Sequence, residues 1–478
     1  MTLASTDTHS AAIRGLHERF GDWIVLDLEV RRNFRTDYGK VVERIPGAVA
    51  RPRNSQDVAD LVRYCREHKL PIVGRGLGHT QTGQSTTEGG VVFDTSSMNQ
   101  IHEVTDEYAV VGPGVVWRDL VAHVVPLGLV PPTLTNNLSV TVGGTTSVAG
   151  LGVASYKYGT QGDNALELEV VTGTGEIVVC SREENRDLFD VVRSGLSQFA
   201  LITRIKTRLR KCKSRVRKYF LVYDDLGALM KDAAKVMDPA HGVFHTLESW
   251  CSPCFQGAKK IGDGLNIGEG MQTFAVWLYP LHLTIEYEPG EEPNDAEVLA
   301  DLTPYRNMGT TEFSQYEFCD RMVPVFQLWD RSGYSNMAHP WMETVLPWDI
   351  AKDYIEGVLE NFPPQALGPG GHILLWPCRG DVSDVPLFRH PGGDLVMGWG
   401  ILPGVPFEFL DRALTQLDMA SELSIHYGGY RYLSGYITFD TVEKWEKHFG
   451  PEWPRVVAAK RKYDPDGILN PGFVVYPE

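Results

Sequence analysis

The 478 residues exceed what one hydrophobic core usually serves, so the chain is expected to form two or three domains. Its 43% apolar and 22% charged residues are typical of an ordinary globular protein. A formal net charge of −16 argues against nucleic acid as a partner, because phosphates are bound by dense Lys and Arg.

The N-terminal sequence MTLASTDTHSAAIRGL lacks the basic and then apolar pattern of a signal peptide. The longest apolar stretch, FAVWLYPLHLTI, is too short and too broken to span a bilayer. We therefore expect a cytoplasmic protein without a membrane partner. Seven cysteines suggest no disulfide framework, and the single CxxC pair, Cys251 and Cys254, lacks the two further ligands of a zinc site. No metal is expected.

The first 212 residues predict mixed helices and strands. The segment NSQDVADLVRYCREH predicts a helix capped by Ser55, and the runs GGVVFD and YAVVGPG predict strands. The segment VWRDLVAHVVPLG predicts a helix, and ALELEVVTGTGEIVVC predicts a β-hairpin around a Gly-Thr-Gly turn. Further along, HILLWP and LVMGWGIL predict Trp-rich strands, and a helix is predicted to carry Trp445, His448 and Phe449.

The glycine-rich segment GRGLGHT, residues 74–80, follows the apolar run LPIV. A Rossmann fingerprint would need a third glycine where His79 stands, since that glycine permits close helix–strand packing. The alternative is a loop around a flavin pyrophosphate, with backbone N–H groups forming an anion nest. A histidine on such a loop could bond covalently to the flavin ring, or it could only cap a turn. The loop alone leaves both interpretations open.

Two more glycine-rich segments follow, TVGGTTSVAGLGVASYKYG at 141–159 and SGLSQFALITRIK at 194–206. In this order the three segments resemble the PCMH-type FAD-binding domain of the vanillyl-alcohol oxidase superfamily, where a histidine at the position of His79 commonly carries covalent FAD. Seven patterns narrow the resemblance to cytokinin dehydrogenases: VTVGGTTSVAG, NALELEVVTGTGEIVVCS, DLFDVVRSGLSQFALITRIKTRL, HPWMETVLP, YLSGY, WEKHFG and DPDGILNPG.

This resemblance implies an α+β, two-domain flavoprotein. Residues 1–212 would form the PCMH-type FAD-binding domain, to which residues 430–478 return, and residues 213–429 a cytokinin dehydrogenase-like substrate domain. FAD would be attached once, through His79, because relatives with a second link place a cysteine near the position of Ser139. The cofactor contacts that the resemblance implies are Gly74, Arg75, Gly76, Leu77, Gly78, His79, Thr80, Gln84, Ser85, Thr141, Gly143, Gly144, Ser147, Ile202 and Asn470.

Such enzymes oxidise a carbon–nitrogen bond in the side group of N6-substituted adenines by hydride transfer to the flavin, and the imine then hydrolyses. In the family an Asp near the flavin receives a proton, assisted by a Glu from the substrate domain. The matching residues are Asn136 and Glu248. A carboxamide can accept a hydrogen bond but cannot take that proton. Leu134, Tyr430 and Phe473 also depart from the family pattern around this site.

Three interpretations remain open: an alignment shifted by one or two residues, cytokinin oxidation with Glu248 alone as proton acceptor, or another amine or an alcohol as substrate. An alcohol or carbohydrate oxidase would need a base, for which Glu248 or Tyr432 could serve. A flavin-containing binding protein without turnover is a further alternative. Trp341, Trp376 and Trp399 are candidates to sandwich a planar small-molecule substrate, although large aromatic residues more often form core. Oxygen or a quinone would reoxidise the flavin, and the oligomeric state is left open.

Overall fold

The computed structural model describes residues 4–240, 242–254, 258–261, 264–267, 276–368 and 370–477. In chain order, its strands are β1 (Ile24–Val25), β2 (Ala48–Ala50), β3 (Ile72–Arg75), β4 (Val91–Asp94), β5 (Ile101–Val104), β6 (Tyr108–Val111), β7 (Leu129–Val130), β8 (Ala165–Thr172), β9 (Ile177–Ser181), β10 (Ala200–Arg208), β11 (Arg210–Lys211), β12 (Arg215–Tyr223), β13 (Thr246–Cys254), β14 (Ala258–Ile261), β15 (Gly264–Ile267), β16 (Val276–Tyr287), β17 (Arg306–Ser314), β18 (Met342–Pro347), β19 (His372–Arg379), β20 (Leu395–Leu402) and β21 (Tyr430–Arg431). The α-helices are α1 (Ala4–Phe20), α2 (Leu28–Arg32), α3 (Ser55–Glu67), α4 (Trp117–Val124), α5 (Val142–Thr146), α6 (Ser155–Tyr158), α7 (Arg186–Val192), α8 (Leu226–Met237), α9 (Asp295–Val298), α10 (Gln315–Cys319), α11 (Val323–Ser332), α12 (Trp348–Asn361), α13 (Leu410–His426), α14 (Val442–Phe449) and α15 (Trp453–Tyr463).

Two of the sheets in the N-terminal half together position the glycine-rich segments. The first sheet has the order β1-β2-β4-β3, and β4 runs parallel to both β2 and β3. The second sheet is antiparallel, in the order β5-β6-β10-β8-β9, and contains the predicted hairpin of β8 and β9. The glycine-rich segment at 74–80 begins at the end of β3, so the parallel pair β3–β4 fixes its direction.

Helix α3 occupies the predicted segment, but the predicted cap is wrong. Asn54 has an extended backbone and its side chain accepts a hydrogen bond of 2.9 Å from the backbone N–H of Asp57. Ser55 is already helical, so the capping position falls one residue earlier. The apolar face of α3 packs on β3, β4 and β8 as its spacing predicts.

The C-terminal half is built on one eight-stranded sheet in the order β17-β12-β16-β13-β19-β20-β18-β21. Helices α8, α12 and α13 cover one face and form a large apolar core with it. Because side chains alternate between faces along a strand, the other face carries a different set of residues. That second face is turned toward the glycine-rich segments of the N-terminal half, and the space between them is the candidate site.

The C-terminal segment returns to the N-terminal half after β21. Helices α14 and α15 place Trp445, Phe449 and Trp453 in the same core cluster as β8 and β10. Farther on, the backbone N–H of Asn470 donates a hydrogen bond of 2.8 Å to the carbonyl of Ile72 in β3. The C-terminal end therefore packs beside the start of the first glycine-rich segment. Among the described residues, no helix has both the length and the apolar composition needed to cross a membrane.

Candidate active site

A large cavity separates the glycine-rich segments from the uncovered face of the eight-stranded sheet. It has a volume of about 260 Å³ and opens in part to solvent. The residues that line it come from within the segments 74–85, 135–153, 196–197, 247–249, 322–329, 341–343, 372–376, 402 and 432–434, although not every residue of these segments takes part.

The first glycine-rich segment presents its backbone to the cavity. A Cβ atom on Gly76 would lie 2.1 Å from Oγ1 of Thr141, and one on Gly74 would lie 2.9 Å from Oγ of Ser197. The three glycine-rich segments therefore approach one another so closely that a larger residue at Gly76 would displace Thr141. Because Gly74, Gly76 and Gly78 line the cavity without side chains, their backbone forms its surface, and backbone N–H groups are suited to bind a pyrophosphate. The cradle fits the phosphate end of FAD.

Asp37 holds this segment from behind. Its carboxylate accepts hydrogen bonds from the backbone N–H of Gly83 at 2.6 Å and from the Thr80 hydroxyl at 2.9 Å. Burial raises the pKa of Asp37 to about 6, although these bonds and the nearby Arg75 guanidinium favour the charged form. Arg75 donates to the carbonyl of Thr36 at 2.8 Å. This buried network fixes the path of the backbone around His79.

Asn470 joins two of the segments from the C-terminal side. Its side-chain amide donates to the carbonyls of Gln84 at 3.0 Å and Leu196 at 2.7 Å. Gln84 in turn donates to the carbonyl of Gly435 at 2.7 Å. Asn470 and Gln84 were predicted as cofactor contacts. Their side chains bind backbone carbonyls and so hold together the segments that form the cavity wall.

The imidazole of His79 lies on the cavity wall and packs against two aromatic rings. Its ring centroid is 4.4 Å from that of Tyr38 and 5.5 Å from that of Trp341. Burial lowers the pKa of His79 to about 4, so the ring is neutral at physiological pH. A neutral imidazole keeps a nitrogen lone pair, which is the form that can act as a nucleophile.

Asn136, Glu248 and Arg321 form a closed cluster at another part of the wall. Asn136 donates to Glu248 at 2.5 Å, and Arg321 donates to the Asn136 carbonyl oxygen at 2.7 Å. The Arg321 guanidinium also lies 3.2 Å from the second Glu248 oxygen. Burial alone would raise the pKa of Glu248, but Arg321 outweighs it, helped by His282 and Asn136, and the pKa is lowered. Glu248 is therefore a fixed anion.

Glu343 is a second carboxylate on the cavity wall, and sequence reasoning missed it. Burial raises its pKa to about 7, only partly opposed by the charge of Arg431. The Arg431 guanidinium is occupied by the backbone oxygens of Glu343 and Tyr436 and by the Ser421 hydroxyl. A charged residue in a mainly apolar strand, METVLP, was the available signal.

Most of the predicted site residues meet at this cavity. Those that line it are Gly74, Gly76, Leu77, Gly78, His79, Thr80, Gln84, Ser85, Asn136, Thr141, Gly144, Ser147, Glu248, Trp341, Trp376 and Tyr432. Those that do not are Arg75, Gly143, Ile202, Trp399 and Asn470. Gly143 packs against Pro113 and Ile202 lies in the core beside β8, so both support the cradle from outside.

The assignment of Trp399 to the substrate requires correction. Leu375 pairs with Trp399 across β19 and β20, whereas Trp376 pairs with Gly398. Paired residues share a face and successive residues alternate, so Trp376 faces the cavity and Trp399 faces the covering helices. The Trp399 ring is fully buried and meets Tyr354 of α12 edge-on.

The CxxC pair makes no visible metal site. Cys251 is buried in β13, and the side chain of Cys254 lies outside the described residues. Among the side chains that the structure describes, no three His, Cys, Asp or Glu come together as metal ligands would.

Sequence reasoning also missed Arg321, which binds both Asn136 and Glu248, because no local sequence pattern marks it.

A backbone cradle beside an aromatic chamber is the arrangement of an FAD-dependent oxidoreductase. Residues 46–181 match the family described as FAD binding domain, and residues 214–476 match the family described as "Cytokinin dehydrogenase 1, FAD and cytokinin binding". The protein therefore belongs to the cytokinin dehydrogenase family. These two matches confirm the predicted α+β, two-domain flavoprotein fold.

Relatives of the protein span nearly its whole length. An uncharacterised oxidoreductase of the fasciation locus in Rhodococcoides fascians is 30% identical, over 91% of this protein and 95% of that one. Cytokinin dehydrogenase 1 of Oryza sativa subsp. japonica is 29% identical, over 91% of this protein and 88% of that one. Cytokinin dehydrogenase 3 of Arabidopsis thaliana is 28% identical, over 95% and 90% respectively.

Proposed function

We propose that the protein oxidises the carbon–nitrogen bond of a small, partly planar amine, either a cytokinin-like N6-substituted adenine or a related secondary amine. Bound FAD supplies the acceptor for the hydride. The protein's own residues must bind and orient the substrate, exclude water and manage one proton. The relatives named as cytokinin dehydrogenases support this substrate class.

The observation that carries the proposal is the fixed anion of Glu248 on the wall of an aromatic chamber. Trp341 and Trp376 line that chamber and offer flat apolar surface to a planar ring. A buried carboxylate favours a substrate that brings N–H donors, because a charged acceptor forms strong hydrogen bonds. It opposes substrates that carry a carboxylate or phosphate of their own. The contact of Asn136 with Glu248 also supports the placing of both residues in the site.

We further propose that FAD is held by one covalent bond, through His79. The ring is neutral, lies on the cavity wall and packs against Tyr38 and Trp341. A second bond is not expected, since Ser139 stands where some relatives have a cysteine. Ser139 is also absent from the residues that line the cavity.

The test is a matched substrate panel. Isopentenyladenine, simpler secondary amines and the corresponding alcohols are offered to the holoenzyme, with oxygen or a quinone as electron acceptor. We expect release of adenine and an aldehyde from isopentenyladenine, or of an amine and an aldehyde from a related secondary amine. Turnover of alcohols alone would instead establish a CH–OH oxidase, and no turnover of any compound would favour a flavin-containing binding protein.

A further inference from the structure

Glu343 and Glu248 lie on the same face of the eight-stranded sheet, at opposite sides of the cavity. Ser249 of β13 pairs with Leu375 of β19, so Glu248 lies opposite Trp376. On the far side of β19, Glu343 of β18 pairs with Gly400 of β20. Three strand spacings of about 4.8 Å separate β13 from β18, and Gly398 and Gly400 are two residues apart along β20. The Cα atoms of Glu248 and Glu343 are therefore roughly 16 Å apart. A small planar substrate between them could contact both carboxylates.

The floor between the two carboxylates is formed by Trp376. A Cβ on Gly398 would lie 1.7 Å from its indole nitrogen, and one on Gly400 would lie 3.2 Å from its ring. Glycine at these positions therefore lets the Trp376 ring lie flat across β20. A planar substrate resting on this ring would present its edges toward Glu248 on one side and Glu343 on the other.

Glu343 lies on the side of the cavity that adjoins the flavin segment. A Cβ on Gly435 would lie 3.5 Å from its Oε2 atom, and Gln84 of the flavin segment donates a hydrogen bond to the Gly435 carbonyl. Two residues before Glu343, the ring of Trp341 contacts His79. The turn that Gln84 holds therefore lies beside the Glu343 carboxylate.

The two carboxylates differ in their bonding. Glu248 is engaged by Arg321 and Asn136, so protonating it would break charge-assisted hydrogen bonds. Among the described residues, no donor hydrogen-bonds the side chain of Glu343, whose carboxylate faces the cavity. A proton acceptor must be free to change charge, and an acceptor works best when its pKa lies near the operating pH. Glu343 is free to change charge, whereas Glu248 is not.

We propose that Glu343 is the catalytic residue that accepts the substrate's N–H proton. This inference rests on the proposed amine oxidation. As the carbon gives up its hydride to FAD, a C=N bond forms and the nitrogen becomes positively charged. The N–H bond then breaks, its electron pair stays on nitrogen, and the proton passes to the Glu343 carboxylate. The products are a neutral imine and a neutral carboxylic acid, with two electrons transferred to FAD.

The pH dependence follows from the groups around Glu343. Burial raises its pKa to about 7, so the carboxylate needed as acceptor becomes available as the pH rises through that value. The titratable and charged groups that face it are Arg431 and Tyr432 beside it, and His79, His372 and Glu248 across the cavity. Burial lowers the pKa values of both histidines below 6.5, and Arg321 holds that of Glu248 low.

The experiment measures anaerobic flavin reduction in the holoenzyme by the amine that the panel identifies, between about pH 5 and pH 9. For the wild type we expect the rate constant to rise through about pH 7. Glu343→Gln should lose this rise and slow reduction by about 100-fold or more at the upper end. Glu248→Gln is the contrast variant, which should slow reduction but keep the rise.

A second measurement does not depend on turnover. Because the pKa of Glu343 is raised from 4.5 to about 7 in the folded state, wild-type stability should fall relative to Glu343→Gln as the pH rises between these two values, and should level off above about 7. Melting temperatures of both proteins across the same pH range report this difference. If Glu343→Gln does not fold, Glu343→Asp should still show slower reduction that rises with pH.

Distinct results separate the two proposals. If no amine reduces the wild-type flavin, the proposed amine oxidation is wrong, and the role of Glu343 is overturned with it. If amines reduce the flavin and Glu343→Gln keeps the wild-type pH profile, only the role of Glu343 is overturned. A wild-type rate that does not change with pH would also overturn it.

Discussion

Asn136 donates an amide N–H of its side chain to Glu248 over 2.5 Å, while its carbonyl oxygen accepts from Arg321 over 2.7 Å. The amide has one satisfactory orientation, because turning it would set its NH2 group against the guanidinium and its oxygen against the carboxylate. Residue 136 therefore links an anion to a cation. It stabilises the charged form of Glu248 and has no proton acceptor of its own.

Asn136→Asp should create a pair of carboxyl groups within hydrogen-bonding distance of each other. Two such groups share a proton, so one pKa of the pair should rise strongly even with Arg321 nearby. The pH profile of kcat/KM should then gain an ionisation that the wild type lacks. Asn137→Asp is the matched control, since Asn137 lines the same cavity but accepts from the backbone of Ser139. Identical profiles for wild type and Asn136→Asp would contradict this account of the cluster.

His79→Ala should abolish the covalent attachment of FAD while leaving the cradle in place. After denaturation in acid, the yellow colour should separate from this variant but stay with the wild-type protein. The control is His372→Ala, because His372 lines the cavity on the sheet side and not on the flavin segment. Its colour should stay with the protein. Colour that remains bound to denatured His79→Ala would place the bond elsewhere.

Trp376 and Trp399 offer a matched pair of substitutions. Trp376→Phe should raise KM several-fold with little change in melting temperature, because its ring forms the cavity floor. Trp399→Phe should leave KM unchanged but lower the free energy of unfolding by about 1–3 kcal/mol, since it opens a void in a fully buried site. Steady-state kinetics and thermal melts of both variants check this. A KM effect at Trp399 equal to that at Trp376 would count against the assignment of faces.

Gly76→Ala should reduce the amount of FAD bound. Its Cβ would lie 2.1 Å from Oγ1 of Thr141, so two segments of the cradle must separate. Gly357→Ala is the control: it lies in α12 with no atom near an added Cβ, and should stabilise the protein by about 0.5–1 kcal/mol. The ratio of flavin to protein absorbance is the measurement. Full flavin content in Gly76→Ala would show that the close approach is not needed for binding.

Local sequence patterns predicted the parts of the structure that local physics determines. The β8–β9 hairpin follows from two β-rich runs around a Gly-Thr-Gly turn, and the glycine-rich segments mark where segments of the chain approach one another closely. The family resemblance, which both domain matches confirm, was the source of the predicted site residues. Most of these residues line one cavity in the structure.

What could not be predicted depends on register and on contacts far apart in sequence. The strands HILLWP and LVMGWGIL are apolar on both faces, so alternation alone could not tell that Trp376 faces the cavity and Trp399 does not. Arg321 reaches Asn136 across 185 positions of sequence, with no local pattern to mark the contact. Glu343 can be recognised as a site residue only once its strand is known to border the cavity.

The most direct test of the central claim is anaerobic mixing of the purified holoenzyme with isopentenyladenine while the visible flavin band is followed. The band should bleach on the timescale of turnover, although residue 136 is an asparagine. Adenine and an aldehyde should accompany the bleaching. A band that stays unchanged, in protein whose flavin is reduced by an alcohol, would contradict oxidation of a carbon–nitrogen bond.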